Sequence, residues 1–171
     1  MLPIDDDTKL FLESNISGDL LSVDIRKSIQ HLAEITGEIT NDDAVFEVLQ
    51  PLGFKRYDLE TMSVSEQVKL FYNAEGVVGP HGAGLVNIAF CRQGTKVIEI
   101  NTPYRVSTCF SDIAHYRGLN YQLHLATPDS KKFFNFDPKR GVGDSDMTVE
   151  SAAFAEIVQI FLKTPLAADQ S

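Results

Sequence analysis

A chain of 171 residues with 43% hydrophobic residues is long enough to bury a single core and suits one domain. Its formal net charge of -9 excludes the basic face that a nucleic-acid partner needs in order to release counterions. No apolar run approaches the ~20 residues that span a bilayer, and the N-terminus lacks a basic stretch followed by an apolar one, so no membrane segment and a cytoplasmic location are expected.

In chain order, Asp5-Asp6-Asp7 reads as a solvated acidic patch. Leu21, Ile25, Ile29 and Leu32 recur at helical spacing, which predicts a helix capped by Asp19 in a divergent N-terminal segment, residues 1–38. From residue 39 to 164 helix and strand alternate, before a tail at 165–171. Asn41 or Thr40 caps a helix reaching about Leu52, with Val45, Val48 and Leu49 on one face and Gly53 ending it. A short strand, Phe54 to Leu59, follows. Ser63 and Glu66 form a capping box for a helix carrying Val64, Val68, Phe71 and Tyr72.

Gly76 to Gly79 is a strand, Gly82 to Phe90 a helix and Lys96 to Ile100 a strand. Ser107 or Ser111 starts a helix to Tyr116, and Asn120 to Leu125 is the last strand before a polar loop rich in Asp, Gly and Lys. Glu150 to Lys163 closes the chain as a helix with Phe154, Ile157, Val158 and Phe161 buried. Strands alternating with helices imply crossover connections and therefore a parallel sheet.

The turn Gly79-Pro80-His81-Gly82-Ala83-Gly84-Leu85 is where a strand stops and a helix starts on small residues. Small residues let backbone N–H groups approach a ligand, and a helix start carries partial positive charge, so the pattern suits a phosphate. It is neither the dinucleotide fingerprint nor a P-loop. The bland alternative is that the glycines serve the turn and close helix packing alone. His81 could add a donor.

Glu99 sits near the carboxyl end of its strand, where α/β sheets bind ligands. It is a candidate ribose ligand, or else a cap for a neighbouring helix or an ion-pair partner of Arg92 or Lys96. Asn87 supports the sugar or phosphate, or else bonds back to the preceding loop. His31, His115 and His124 lie away from the turn and read as structural. Cys91 and Cys109 make no C-x-x-C pair, so two buried, reduced thiols are expected and no zinc or redox site. Asp144-Ser145-Asp146 has the spacing of a metal motif but reads as a turn, so no metal and no cofactor are expected.

The run from Val77 to Asn87, with Phe90-Cys91, Gly94-Thr95 and Val97 to Ile100, resembles the signature of glycosyltransferase family 61. Ile39 to Asp43 and Met62 to Ala74 are similar to that family as well, so the likeness runs over about residues 39 to 125. The resemblance implies a Rossmann-like α/β fold with a parallel sheet flanked by helices, like the C-terminal half of a GT-B glycosyltransferase. It also implies that the site, Gly79, His81, Gly82, Ala83, Gly84, Asn87 and Glu99, holds a nucleoside diphosphate sugar. The implied reaction passes the sugar to an acceptor hydroxyl of a glycan with inversion, His81 stabilising the leaving diphosphate.

Relatives place an arginine near the diphosphate where this chain has Leu20 to Lys27. The helical reading of that stretch leaves the first sheet strand missing and Arg26 without a ligand role. Two readings follow: a donor-binding half that needs a partner domain or a homo-oligomer to transfer sugar, or a non-catalytic nucleotide-binding module derived from such an enzyme. A metal-dependent hydrolase lacks a ligand cluster.

Overall fold

The computed structural model describes residues 19–24, 38–104, 107–137 and 142–165, with backbone alone at 19–24, 130–137 and 142–145. In chain order the elements are β1 (Asp19–Asp24), α1 (Asp42–Leu49), β2 (Phe54–Asp58), α2 (Val64–Tyr72), β3 (Ala74–Pro80), a 3-10 helix (Ala83–Phe90), β4 (Lys96–Asn101), α3 (Cys109–Arg117), β5 (Asn120–Leu125), β6 (Thr127–Asp137), β7 (Val142–Thr148) and α4 (Ser151–Lys163). Five strands form one sheet in the order β2-β1-β3-β4-β5, with every neighbouring pair parallel.

The first strand is present, which corrects the expectation of a helix from Asp19. Leu21 pairs with Lys55 of β2 on one side and with Val77 of β3 on the other, so β1 lies inside the sheet. A short apolar run buried among neighbours has no period of its own, and two ladders of backbone hydrogen bonds override a helical pattern that continues into Ile25, Ile29 and Leu32. Those three residues, Arg26 and His31 lie outside the described residues.

Both faces of the sheet are covered. On one side Leu59, Phe71, Val77, Leu85, Ile88, Cys91, Val97 and Phe110 pack together beneath α2, the 3-10 helix and α3. On the other, Val78, Ile98 and Ile100 meet Val45 and Leu49 of α1 and Phe154 and Val158 of α4. Alternate residues of β3 and β4 therefore serve opposite cores, and the strands read as continuous apolar runs because neither face meets water.

Several local expectations hold. Gly53 ends the first helical segment at φ 92°, a left-handed geometry that glycine adopts without a Cβ penalty. The Ser63 hydroxyl accepts from Glu66 N–H while the Glu66 carboxylate accepts from Ser63 N–H at 2.7 Å, a closed capping box that holds the Glu66 carboxyl below its usual range. Ser63→Ala is expected to cost about 1 kcal/mol in urea unfolding; an unchanged midpoint would show that the box contributes nothing to stability.

Other expectations change. Asn41 precedes α1 but does not cap it: its side-chain amide donates to the Val149 carbonyl at 2.7 Å and accepts from Val149 N–H at 3.0 Å. The segment before α1 is thereby latched to the end of β7, where Ile39 also bridges Met147. The polar loop is instead an antiparallel ribbon, β6 against β7, and Asp144-Ser145-Asp146 lies in β7 rather than in a turn. Cys91 is buried, and burial pushes its thiol up to about 12, whereas Cys109 is exposed, contrary to the reading of two buried thiols.

The helix after the glycine turn is 3-10 rather than α. Leu85, Ile88 and Cys91, three residues apart, are each 0% exposed, while Ala83, Val86 and Phe90 face out. With three residues per turn this spacing makes one buried stripe, which an α-helix would rotate away from the core. Among the described residues no helix is long and apolar enough to cross a membrane.

Candidate functional site at the end of the third strand

The chain runs from β1 through α1 to β2 on one side, and from β3 outward to β4 and β5 on the other. The direction of winding therefore reverses between β1 and β3, and the carboxyl ends of two such strands bound the crevice in which open α/β sheets take ligands. The glycine turn leaves β3 at that end. His81 N–H donates to the Ile100 carbonyl at 2.8 Å, which extends the β3/β4 pairing by one residue and fixes where the turn begins.

Beyond His81, Gly82 is extended, with φ 170°, and the first bond of the 3-10 helix is Leu85 N–H to the Gly82 carbonyl at 3.0 Å. The N–H groups of Ala83 and Gly84 precede any donor used inside the helix, so they are the ones available to an anion. Ala83 is exposed, and Gly82 and Gly84 are buried. None of Gly79, Gly82 and Gly84 has a left-handed φ; among the described residues that conformation belongs to Gly53, Gly94 and Gly118. Left-handed backbone is thus not what the glycines of this turn supply.

Asn87 is held by hydrogen bonds to neighbouring residues. Its amide donates to Gly84 carbonyl and to Gln67 Oε1, each at 3.1 Å, and Gln67 in turn donates to the Leu59 and Met62 carbonyls. The 3-10 helix is therefore tied to α2 through one amide pair, and the bond to Gly84 lies within the 3-10 helix itself.

His81 and Glu99 meet. His81 Nδ1 lies 2.6 Å from Glu99 Oε1, with the imidazole 10% exposed and the carboxylate 0% exposed. Glu99 also accepts from Asn101 Nδ2 at 3.2 Å and, on its other oxygen, from the Tyr121 hydroxyl. Burial, then the bond to Glu99, pushes the Tyr121 phenol well above its usual range, so it stays a proton donor. The His81 ring stands edge-on to Phe110 at 4.9 Å.

Glu99 is fully buried, and its partners are His81, Asn101 and Tyr121 rather than Arg92 or Lys96. Arg92 instead lies over the Tyr72 ring, and Lys96 donates to the Leu162 and Thr164 carbonyls at the end of α4. Sequence reading missed Asn101, Phe110 and Tyr121. The available signal was Glu99 itself: a carboxylate inside the run Val97-Ile98-Glu99-Ile100 must find buried donors. His124 packs on Phe154 at 4.6 Å, and burial lowers its pKa; His115 lies against Tyr116. Among the described residues no three of His, Cys, Asp and Glu come together as a metal site.

The family profile described as glycosyltransferase 61 matches residues 29–98, from before α1 into β4, with the whole His81 turn inside it. Over this stretch the chain is similar to glycosyltransferase family 61. The chain is 36% identical over 69 residues to a beta-1,2-xylosyltransferase of Arabidopsis thaliana, covering 40% of this chain and 13% of the relative. It is 31% identical over 65 residues to an EGF domain-specific O-linked N-acetylglucosamine transferase of Gallus gallus, covering 38% and 12%. A separate similarity, 62% identity over 32 residues, is to the tRNA modification GTPase MnmE of Christiangramia forsetii, covering 19% of this chain and 7% of that protein. The chain thus spans a small part of the length of each relative.

Proposed function

We propose that the His81 turn binds the diphosphate of a nucleoside diphosphate sugar and that the chain is the donor-binding part of a glycosyltransferase of GT-B type, acting with inversion on a glycan hydroxyl. The observation that carries this reading is the place of the turn: a segment similar to family 61 puts free N–H groups and a histidine at the carboxyl end of β3, where the sheet reverses. Two curated relatives are named for sugar transfer, which supports the same reaction class.

The chemistry divides between this site and the acceptor. Negative charge gathers on the departing diphosphate, where the Ala83 and Gly84 amides can meet it without reorganising and a protonated His81 can add a donor. The acceptor hydroxyl needs a base within hydrogen-bond reach, and no residue is assigned to that task. Calorimetric titration with uridine diphosphate tests the binding step. Binding is expected, and it should be unchanged by a chelator, since amide donors and the imidazolium form of His81 supply the positive field. No binding of any nucleoside diphosphate would end the proposal; loss on chelation with recovery in magnesium or manganese would end its metal-free form.

A further inference from the structure

We propose that Glu99 is a positioning residue that locks His81 as the Nδ1–H tautomer and leaves Nε2 as the reactive edge. Glu99, Asn101 and Tyr121 lie beyond the residues matched by the family profile, so the assignment stands on geometry. The ligand role of Nε2 rests on the diphosphate reading above; the tautomer does not.

Three groups converge on the two oxygens of Glu99. Tyr121 is a hydroxyl whose proton is retained, and Asn101 is oriented by Thr102, whose N–H donates to Asn101 Oδ1 at 2.8 Å and so turns the NH2 end toward Glu99. A carboxylate receiving those two donors on 0% exposed oxygens completes its set by accepting from His81 Nδ1 at 2.6 Å. The proton of neutral His81 is then on Nδ1. Among the described residues Nε2 has no hydrogen-bond partner.

The groups facing His81 are Glu99 from β4, Tyr121 from β5 through Glu99, and the uncharged Phe110 ring from α3, with the exposed Cys109 next to it. Neutral His81 therefore presents a lone pair at Nε2, and an N–H there exists only on the imidazolium. A diphosphate bonded to Nε2 must bring His81 to its charged form, with Glu99 as the buried counter-charge. Binding then takes up a proton at any pH where free His81 is neutral.

Nitrogen NMR of the imidazole rings in the intact chain, with His81→Asn to assign the His81 signals among the four histidines, tests the tautomer directly. At a pH where the ring is neutral, Nδ1 should appear at the protonated position and Nε2 at the unprotonated one. The opposite pattern overturns the proposal. Glu99→Ala should release the ring to a mixture of tautomers; an unchanged pattern in a folded variant also overturns it. Because the unmodified chain alone decides the first point, failure of the variant to fold does not rescue the idea. Addition of uridine diphosphate should then move Nε2 to the protonated position. If the nucleotide binds and Nε2 stays unprotonated, the imidazolium step is overturned. If it does not bind, the diphosphate reading fails while the tautomer result stands.

Discussion

Phe154→Ala is expected to be among the most damaging single substitutions in this chain, costing about 3–5 kcal/mol. Phe154 is 0% exposed on α4 and packs with Val45, Leu49, Ile98, Ile100 and Met147, with the His124 ring 4.6 Å from its own. Alanine leaves a ring-sized cavity between α4 and the sheet, and α1, which shares that layer, cannot move in because Asn41 latches it to Val149. Domains hold on the order of 5–15 kcal/mol in total, so the loss is a large fraction of what keeps the chain folded. Urea unfolding of parent and variant measures it. A difference below about 1 kcal/mol, well under the range for a filled aromatic site, would mean that α4 is not docked on the sheet as described.

His81→Ala is expected to weaken uridine diphosphate binding by roughly tenfold to a hundredfold, because a hydrogen bond to a charged group is worth about 1.5–3 kcal/mol. The alanine variant should also lose stability, on the order of 1–3 kcal/mol, since it deprives a 0% exposed carboxylate of one of its hydrogen-bond partners. His81→Asn separates the two effects. An asparagine amide reaches the position of Nδ1 and can still donate to Glu99, yet it has nothing in place of Nε2. Its stability should therefore stay near the parent's while its affinity falls as far as the alanine variant's. Calorimetry showing parental affinity in His81→Asn would remove His81 from the nucleotide site. Equal loss of stability in both variants would remove the Glu99 bond from the folding balance.

Much of the architecture was legible in the residues themselves. The capping box at Ser63 and Glu66, the stop at Gly53 and the closing helix with Phe154 and Val158 buried are local matters, decided by contacts within a turn or two of chain. The crossover pattern of strand and helix is equally local, and it carries the parallel sheet with it. The block around His81 was legible for a similar reason: a strand end, small residues and a histidine lie consecutively, and the likeness to family 61 sits on those same residues.

What the sequence by itself determined, then, is the α/β class, most element positions and the turn that carries His81. The tertiary structure decided the rest, because each remaining choice depended on partners distant in the chain. Leu21 belongs to a strand because β2 and β3 flank it, although its spacing to Ile25, Ile29 and Leu32 also fits a helix. The segment after the turn is 3-10 because the core accepts Leu85, Ile88 and Cys91 on one line. Glu99 is buried because Asn101 and Tyr121, from its own strand and the next, supply donors that make a buried carboxylate tolerable. Hydrogen-bond partners brought together across a sheet leave no period in the sequence, and so the environment of His81 became visible only once the strands were paired.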